Sequence, residues 1–277
     1  HYLSRDTVQF LQESVTKKMQ FDNTYYQQDW YLSVVNMYSI LPVWDVSLSV
    51  DFQYNKLNAV MRGVGTPFTF PQRYTTWAAL ATALNLGKWK LQADVLGTFV
   101  IEKVRNNVEA PDKSEFSPAL IVGYKPFSNQ DLNLRAFYKR IFRLPTFNDL
   151  YYAQIGFSQL NPEFTNQFNI GGSYQKTFKT GMIDRIALQM DVYYAAITDK
   201  IIAAPTGSSF RWMMTNMGKV ESKGVDVSTA VSGHIGLVKL HTNLTYSFTK
   251  AQDFTKINGK KLSSYGDQIP YTPWQDR

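Results

Sequence analysis

The sequence contains no cysteine and three histidines in 277 residues. Without cysteine, the chain can form neither disulfide bonds nor cysteine-based zinc sites. The histidines are His1, His234 and His241, and none of them lies in a zinc, phosphate-binding or paired-carboxylate motif. We therefore predict no metal site and no cofactor.

Long apolar runs are also missing. No stretch reaches the roughly 18 consecutive apolar residues that a transmembrane helix needs. Charged residues make up 18% of the chain and hydrophobic residues 44%, which is not the composition of a disordered protein. The net charge of +7 comes from lysines and arginines that are scattered along the chain. Because no basic block is present, we predict no nucleic-acid partner.

Aromatic residues, in contrast, are abundant at 15% of the chain, and they mark the ends of alternating segments. The clearest segment runs from Trp44 to Asn55, where every even position is apolar and every odd position is polar. Trp44 lies at one end of the apolar face, and Phe52 and Tyr54 lie at the other. A strand that crosses an outer membrane needs about 9–11 tilted residues and an aromatic girdle at each interface.

The alternation recurs, and the joints between the segments are short and long in turn. Further alternating segments cover residues 89–101, 186–196 and 238–248, with weaker ones at 132–138 and 168–178. Short joints lie around residues 41–42, 87–88, 125–130, 180–181 and 232–236, and long joints around 17–24, 56–72, 105–115, 143–163, 199–217 and 251–270. This order predicts an all-β fold, an antiparallel up-and-down transmembrane β-barrel with about eleven strands and the start of a twelfth.

Three motifs resemble those of TonB-dependent receptors, the energised importers of the outer membrane. The first runs from Phe142 to Tyr151 and continues at Leu160–Glu163; the second joins Asn216–Gly218 to Gly224–Asp226; the third is Gly266–Trp274. The residues that carry the motifs are Pro145, Asn161, Pro162, Glu163, Asn216, Gly218, Gly224, Pro270 and Pro273. We expect Pro162 to open a strand, and Gly218 and Gly224 to form bulges or to adopt positive φ.

The resemblance implies a 22-stranded barrel in the outer membrane of a Gram-negative bacterium, with a plug domain inside it. It also implies outer-membrane lipid, a small-molecule nutrient and the TonB–ExbB–ExbD complex as partners, the last through an N-terminal region. We expect residues 1–277 to be part of one barrel domain, with about 11–12 of the 22 strands and without the plug or the barrel C-terminus. The sequence starts without methionine and stops after a turn signal, which favours a piece of a longer protein.

The function implied is TonB-energised uptake of a scarce nutrient, and not enzymatic catalysis. The moderate length of the external loops favours siderophore-bound iron, haem or cobalamin over a glycan. Two alternatives stay open at this point: a passive porin-type channel and a soluble β-rich binding module. Soluble strands average about five to six residues, which is shorter than the segments found here.

Candidate ligand contacts are the aromatic, methionine and basic residues of two external loops. Exposed apolar side chains on such loops either contact a ligand or pack on neighbouring loops. Arg135, Lys139 and Arg143 lie near one strand and its loop end, where they can attract an anionic chelate or form a solvated wall. The candidates are Arg143, Tyr151, Tyr152, Phe157, Phe210, Arg211, Trp212, Met213 and Met214.

Overall fold

The structure is a computed structural model of the chain. It describes residues 2–9, 18–62, 68–106, 108–152, 155–205, 212–257, 259–261, 264–269 and 275–276. Four residues from the motifs and candidate contacts, Phe210, Arg211, Pro270 and Pro273, lie outside these ranges. Within the ranges, no helix is both long and apolar enough to cross a membrane.

The described residues form strands and one short helix, α1 (Phe147–Tyr151). The strands in chain order are β1 (Tyr2–Gln9), β2 (Lys18–Leu41), β3 (Trp44–Arg62), β4 (Gln72–Leu86), β5 (Trp89–Lys103), β6 (Lys113–Tyr124), β7 (Asp131–Arg143), β8 (Glu163–Thr177), β9 (Ile183–Pro205), β10 (Trp212–Ile235), β11 (Val238–Asp253), β12 (Lys256–Ile257), β13 (Lys260–Lys261) and β14 (Gln275–Asp276). Several exceed 20 residues, far beyond the strands of soluble sheets.

One sheet holds twelve strands, and every neighbour in it is also the next strand along the chain except at the end. Its order is β1 to β11 followed by β14, while β12 and β13 form a separate small hairpin. All pairs are antiparallel. Among the described residues, β1 and β14 do not pair with each other, so the sheet is an open wall. This confirms the predicted partial up-and-down barrel, including the start of a twelfth strand.

Tight turns occur at one end of the wall and longer loops at the other. Two-residue turns join β2 to β3 at Pro42–Val43, β4 to β5 at Gly87–Lys88, and β10 to β11 at Gly236–Leu237. Gly87 and Gly236 have φ of 63° and 58°, a conformation that glycine adopts without steric cost. We call this the turn end and the opposite side the loop end; in outer-membrane barrels the loop end faces outward.

The two faces of the wall differ in polarity, as the alternation predicts. On β3, Leu48, Val50 and Phe52 are 50%, 45% and 40% exposed on what we call the outer face. Asp45, Asp51 and their polar neighbours lie on the opposite, lumenal face. From Trp44 to Tyr54 the strand rises about 33 Å at roughly 3.3 Å per residue. At a tilt of about 40° this gives an apolar band about 25 Å tall, enough to cross an outer membrane.

The strands at the loop end are longer than the sequence suggested. β2 begins at Lys18, inside the joint expected around residues 17–24. β10 begins at Trp212, so Trp212, Met213 and Met214 lie on a strand and not on an external loop. The ladder of β9 and β10 continues there, with Met214 opposite Ala203, because backbone pairing does not need alternating side chains.

Gly218 and Gly224 serve a different purpose from the one expected. The described glycines with positive φ lie elsewhere, and β9 and β10 pair in register on both sides of Gly218 and Gly224. A Cβ on Gly218 would lie 2.7 Å from Thr255 Cγ2, and a Cβ on Gly224 would overlap the Tyr193 side chain. Glycine is required at both positions because a side chain passes directly over the backbone. Pro162 directly precedes β8, close to the expected strand start.

Candidate ligand site at the loop end

The loop end contains a hydrophobic cluster formed by residues from several loops and strands. Its buried members, none more than 8% exposed, are Leu57, Phe68, Ala110, Phe147, Leu150, Tyr151, Leu160 and Ile201. Tyr25, Ala59, Phe70, Val104 and Met214 pack against it. The connections after β3, β5 and β7 therefore pack into one body. Fully burying one large apolar side chain contributes about 1.5–3 kcal/mol, so this cluster holds the loops in place.

Helix α1 is part of this body, and its start is capped. The Thr146 hydroxyl accepts a hydrogen bond from the Asp149 backbone N–H at 3.1 Å, and the Asp149 carboxylate accepts one from the Thr146 N–H at 2.8 Å. This reciprocal pair is a capping box. It stabilises a helix of one turn, too short for the sequence pattern to reveal.

Arg73 joins the wall to the loop that carries α1. Its guanidinium forms a buried ion pair with Glu102, with Nε 2.6 Å from Oε1. It also donates to the Pro145 carbonyl at 2.8 Å, and Cζ lies 4.9 Å from the centre of the Phe147 ring. Glu102 is 3% exposed, so its charge depends on Arg73. The motif residue Pro145 is thus held by a residue 72 positions earlier.

Arg143 and Glu163, at the facing ends of β7 and β8, form a second link. Arg143 Nη1 lies 3.1 Å from Glu163 Oε2, and Arg143 Nη2 lies 3.7 Å from Asp149 Oδ2. The same Glu163 oxygen accepts the Ile201 backbone N–H at 3.1 Å. Glu163 therefore ties β7, β8 and β9 together below the loop.

Asn216 joins the second motif to the first. Its side-chain amide donates to the backbone carbonyls of Asn161 at 3.0 Å and Asp199 at 2.7 Å. Its side-chain carbonyl accepts the Asn161 N–H at 2.9 Å. Asp199 has φ of 53°, an uncommon conformation that this hydrogen bond helps to hold.

The described part of the third motif, residues 266–269, forms a turn over the end of β11. Gly266, with φ of 91°, donates its N–H to the Asp253 carbonyl at 2.6 Å. The buried Asp253 carboxylate accepts the Ser264 hydroxyl at 2.6 Å and the Thr255 N–H at 2.8 Å. Ile269 is 4% exposed and packs with Val220 and Ala251. In the described parts of the three motifs, these contacts fold the loops back onto the wall.

Below the packed loops, the lumenal face has a cavity of about 680 Å³, within the range of ligand sites. Pairing of β6 with β7 ends at Ala119 and Lys139, next to Pro118, which lacks a backbone N–H. The cavity lies where these strands separate. Its lining has four cationic side chains and one carboxylate, namely Arg73, Lys139, Arg140, Arg143 and Asp94. Trp77 also contributes an apolar surface.

The partners of the cavity cations differ. Arg73 is paired with Glu102 and Arg143 with Glu163, and neither glutamate lines the cavity. Arg140 Nη2 is 3.8 Å from the Glu115 carboxylate. Lys139 Nζ lies 5.3 Å from the centre of the Phe137 ring, and no carboxylate of the described residues lies within ion-pair distance of it. Lys139 is therefore the cation most available to an incoming anion.

The predicted ligand contacts lie in different surroundings. Tyr151 is 7% exposed inside the hydrophobic cluster, and Tyr152 lies beside the Tyr25 ring at 6.3 Å. Phe157, Trp212 and Met213 are exposed by 41%, 37% and 40%, while Met214 packs on the cluster. Arg143 lines the cavity. Sequence reasoning did not identify Arg73, Glu102 or Trp77, because none lies in a motif and their partners are distant in the chain.

Burial has a chemical consequence for Tyr151. Loss of solvent raises the pKa of its hydroxyl to about 12, and the nearby Glu102 carboxylate adds to the shift. The phenol therefore stays neutral at physiological pH. This residue is a packing element of the loops under those conditions.

Comparisons with known proteins agree with this architecture. The family model described as "TonB dependent receptor-like, beta-barrel" matches residues 1–275. The vitamin B12 transporter BtuB of Vibrio vulnificus (strain YJ016) is 29% identical over 86 residues, which are 31% of this chain and 13% of that protein.

Two solved structures share the fold. The FrpB iron transporter from Neisseria meningitidis (F3-3 variant) superposes with a TM-score of 0.60 at 14% identity, covering 92% of this chain and 40% of that one. The copper transporter OprC superposes with a TM-score of 0.67 at 12% identity, covering 85% and 39%. The chain thus spans about two fifths of the length of these structures.

The match of the family model over nearly the whole sequence settles which class of β-protein this is. This match excludes the alternative of a soluble β-rich binding module. The chain belongs to the TonB-dependent receptor-like β-barrel family, whose members are transporters and receptors of the Gram-negative outer membrane.

Proposed function

We propose that this chain forms part of the wall of a receptor that imports a scarce nutrient, and that the nutrient is a small anionic metal chelate. The observation that carries the proposal is the lumenal cavity, whose lining has four cationic side chains against one carboxylate. A concave site with one dominant sign of charge concentrates ligands of the opposite sign. Siderophore-bound iron and haem both supply carboxylate or other anionic oxygens.

The position of the cavity supports an import role. It lies on the lumenal face directly beneath the packed loops, so a ligand that enters from outside meets it before the rest of the lumen. Arg143 connects the two regions, because it lines the cavity and holds Glu163 and Asp149 at the base of the loop. Binding at the cavity can therefore affect how the loops are held.

The other proposed contacts form two groups. Phe157, Trp212 and Met213 are exposed at the loop end and offer an apolar surface to the organic part of a chelate. Tyr151 and Met214 pack in the hydrophobic cluster and Tyr152 lies beside the Tyr25 ring, so in our proposal they hold the loops and do not contact the ligand. Phe210 and Arg211, which lie outside the described residues, join the first group in our proposal.

We further propose that the barrel is completed by strands outside this chain and holds a plug, and that TonB–ExbB–ExbD energises transport through an N-terminal region. The open edges of the wall support this, since an unpaired edge is a liability that closed barrels avoid. The family match supports the energising partner.

The test is ligand binding and uptake by the intact receptor, with Lys139→Gln as the informative variant. A charge-assisted hydrogen bond contributes about 1.5–3 kcal/mol, so the affinity for an anionic chelate should fall roughly tenfold to a hundredfold. The panel should contain ferric siderophores, haem and cobalamin, and uptake should stop when TonB is deleted. Lys90→Gln, a lumenal lysine near the turn end, removes the same charge and should leave affinity unchanged.

Cobalamin is the second candidate, because the BtuB relative is a vitamin B12 transporter. If the receptor binds cobalamin with an affinity that Lys139→Gln does not change, cobalamin replaces the anionic chelate as the proposed nutrient. Uptake that persists without TonB would instead indicate a passive porin-type channel.

A further inference from the structure

The outer face at the loop end changes chemistry in three steps along the paired strands β3, β4 and β5. The lowest row, Val50, Ala78 and Gly97, is apolar or small. Four residues higher along β3, Tyr54 pairs with Tyr74, and the ring centres are 4.9 Å apart. The Tyr54 and Tyr74 hydroxyls donate hydrogen bonds to Gln72 Oε1 at 3.2 and 3.5 Å, so both hydroxyls point toward the loop end. This is the arrangement of an aromatic girdle at the membrane interface.

The next row up is cationic. Lys56 pairs with Gln72, and Gln72 pairs with Lys103, all on the outer face. Two residues of strand separate Tyr54 from Lys56, which is about 6–7 Å. The lysines therefore lie at the level of the lipid headgroups of the outward leaflet.

These lysines line a pocket of about 370 Å³, together with Arg105 and Phe70. The pocket is held by hydrogen bonds between two loops: Arg105 donates its backbone N–H to the Thr69 carbonyl at 3.0 Å, and the Asn106 amide donates to the Phe68 carbonyl at 3.1 Å. The Arg105 guanidinium lies 5.8 Å from the centre of the Phe70 ring. The pocket is thus part of the folded loop body.

Among the described residues, the pocket cations have no acidic counterpart. Its lining contains Lys56, Lys103 and Arg105 but no aspartate or glutamate. Within the part of the chain that the structure describes, none of the three forms an ion pair. Three cations in one concave pocket repel one another unless an anion lies between them.

We propose that this pocket binds a phosphate group of a phosphorylated glycolipid in the outward leaflet. Three features fit that occupant: the cations coordinate phosphate, the tyrosines contact the sugar–acyl boundary, and the apolar row below contacts the acyl chains. A free anion would use the cations but would gain nothing from the girdle beneath them. The site lies on the opposite face from the lumenal cavity, so it is separate from nutrient binding.

The test uses the intact receptor purified from outer membranes in mild detergent. Native mass spectrometry should show a phosphorylated glycolipid retained by the wild type. The double variant K56Q/K103Q should retain it at least tenfold less well, and rebinding of diphosphoryl lipid A should weaken to the same extent. The control K90Q/K239Q removes two lysines near the turn end and should behave as wild type.

Two further measurements identify the source of the phosphate. Dephosphorylated lipid A should not rebind to the wild type, and millimolar inorganic phosphate should not displace diphosphoryl lipid A. Equal retention by K56Q/K103Q and wild type would overturn the proposal. So would equal binding of dephosphorylated lipid A, or complete displacement by inorganic phosphate, which would make the site one for a free anion. Nutrient uptake by K56Q/K103Q should be normal, which separates this result from the proposed import function.

Discussion

Arg135 on β7 and Asp191 on β9 form an ion pair across the strand that separates them, with Nη2 2.6 Å from Oδ2. The intervening residue of β8 is Gly171, which is paired with both. Gln189 donates to the same carboxylate at 3.0 Å. A side chain at residue 171 would occupy the space in which the two charged groups meet. A second glycine has the same role: the Tyr193 hydroxyl forms a hydrogen bond with the Thr249 hydroxyl at 2.6 Å, and Gly224 is the residue between them on the intervening strand.

We expect Gly171→Ala to lower the free energy of unfolding by about 1–3 kcal/mol, because its Cβ would overlap Asp191 Oδ1 and lie 2.8 Å from the Met190 carbonyl. Urea unfolding of the intact receptor in micelles measures this loss. Gly123→Ala is the matched control, since the nearest atom to its Cβ lies at 3.5 Å. Equal stability of the two variants would show that Gly171 is not needed for the ion pair.

Arg73→Met should be more destabilising, by about 3–5 kcal/mol, because it leaves the Glu102 carboxylate buried and unpaired. The double variant Arg73→Met with Glu102→Gln should recover most of the loss, since no buried charge remains. The same unfolding assay compares the three proteins. If the double variant is as unstable as Arg73→Met, the loss comes from the contacts of Arg73 with Pro145 and Phe147 instead.

Asn216→Asp should loosen the loop between β7 and β8. The carboxylate keeps an acceptor for the Asn161 N–H but loses both donors and faces the carbonyls of Asn161 and Asp199. We expect a cost of about 1–3 kcal/mol in local stability and faster cleavage between residues 144 and 162 by protease. Asn243→Asp, on an exposed lumenal position of β11, is the control and should be cleaved at the wild-type rate.

Tyr151 should make stability pH-dependent in alkaline solution. Its folded pKa of about 12 exceeds the unfolded value of about 10, so the folded state keeps the proton between these pH values. The free energy of unfolding therefore falls as pH rises from 10 to 12, by about 2–3 kcal/mol from this group, and then levels off.

Tyr151→Phe removes that group, so its unfolding free energy should decline less between pH 10 and 12. Tyr31→Phe, at a position 63% exposed, controls for the substitution itself. A decline in Tyr151→Phe that matches the wild type would mean that other groups account for the alkaline loss.

The sequence by itself determined the wall. Alternation with a period of two is a local property, and it specifies which face of each strand is apolar before any partner is known. Short and long joints specify antiparallel neighbours in chain order, so the strand count and the sheet order follow. Strand ends at the loop side were not determined, because pairing such as that of Trp212 with Pro205 continues where the alternation stops.

The tertiary structure decided what the motifs and cations do. The contacts of Asn216 with Asn161 span 55 positions, and that of Arg73 with Pro145 spans 72, so no local pattern contains them. Tyr151 is aromatic and lies in a loop region, yet packing buries it while Phe157 stays exposed. Lys56 and Lys103 are 47 positions apart, and only the register of β3, β4 and β5 brings them to one pocket on the outer face.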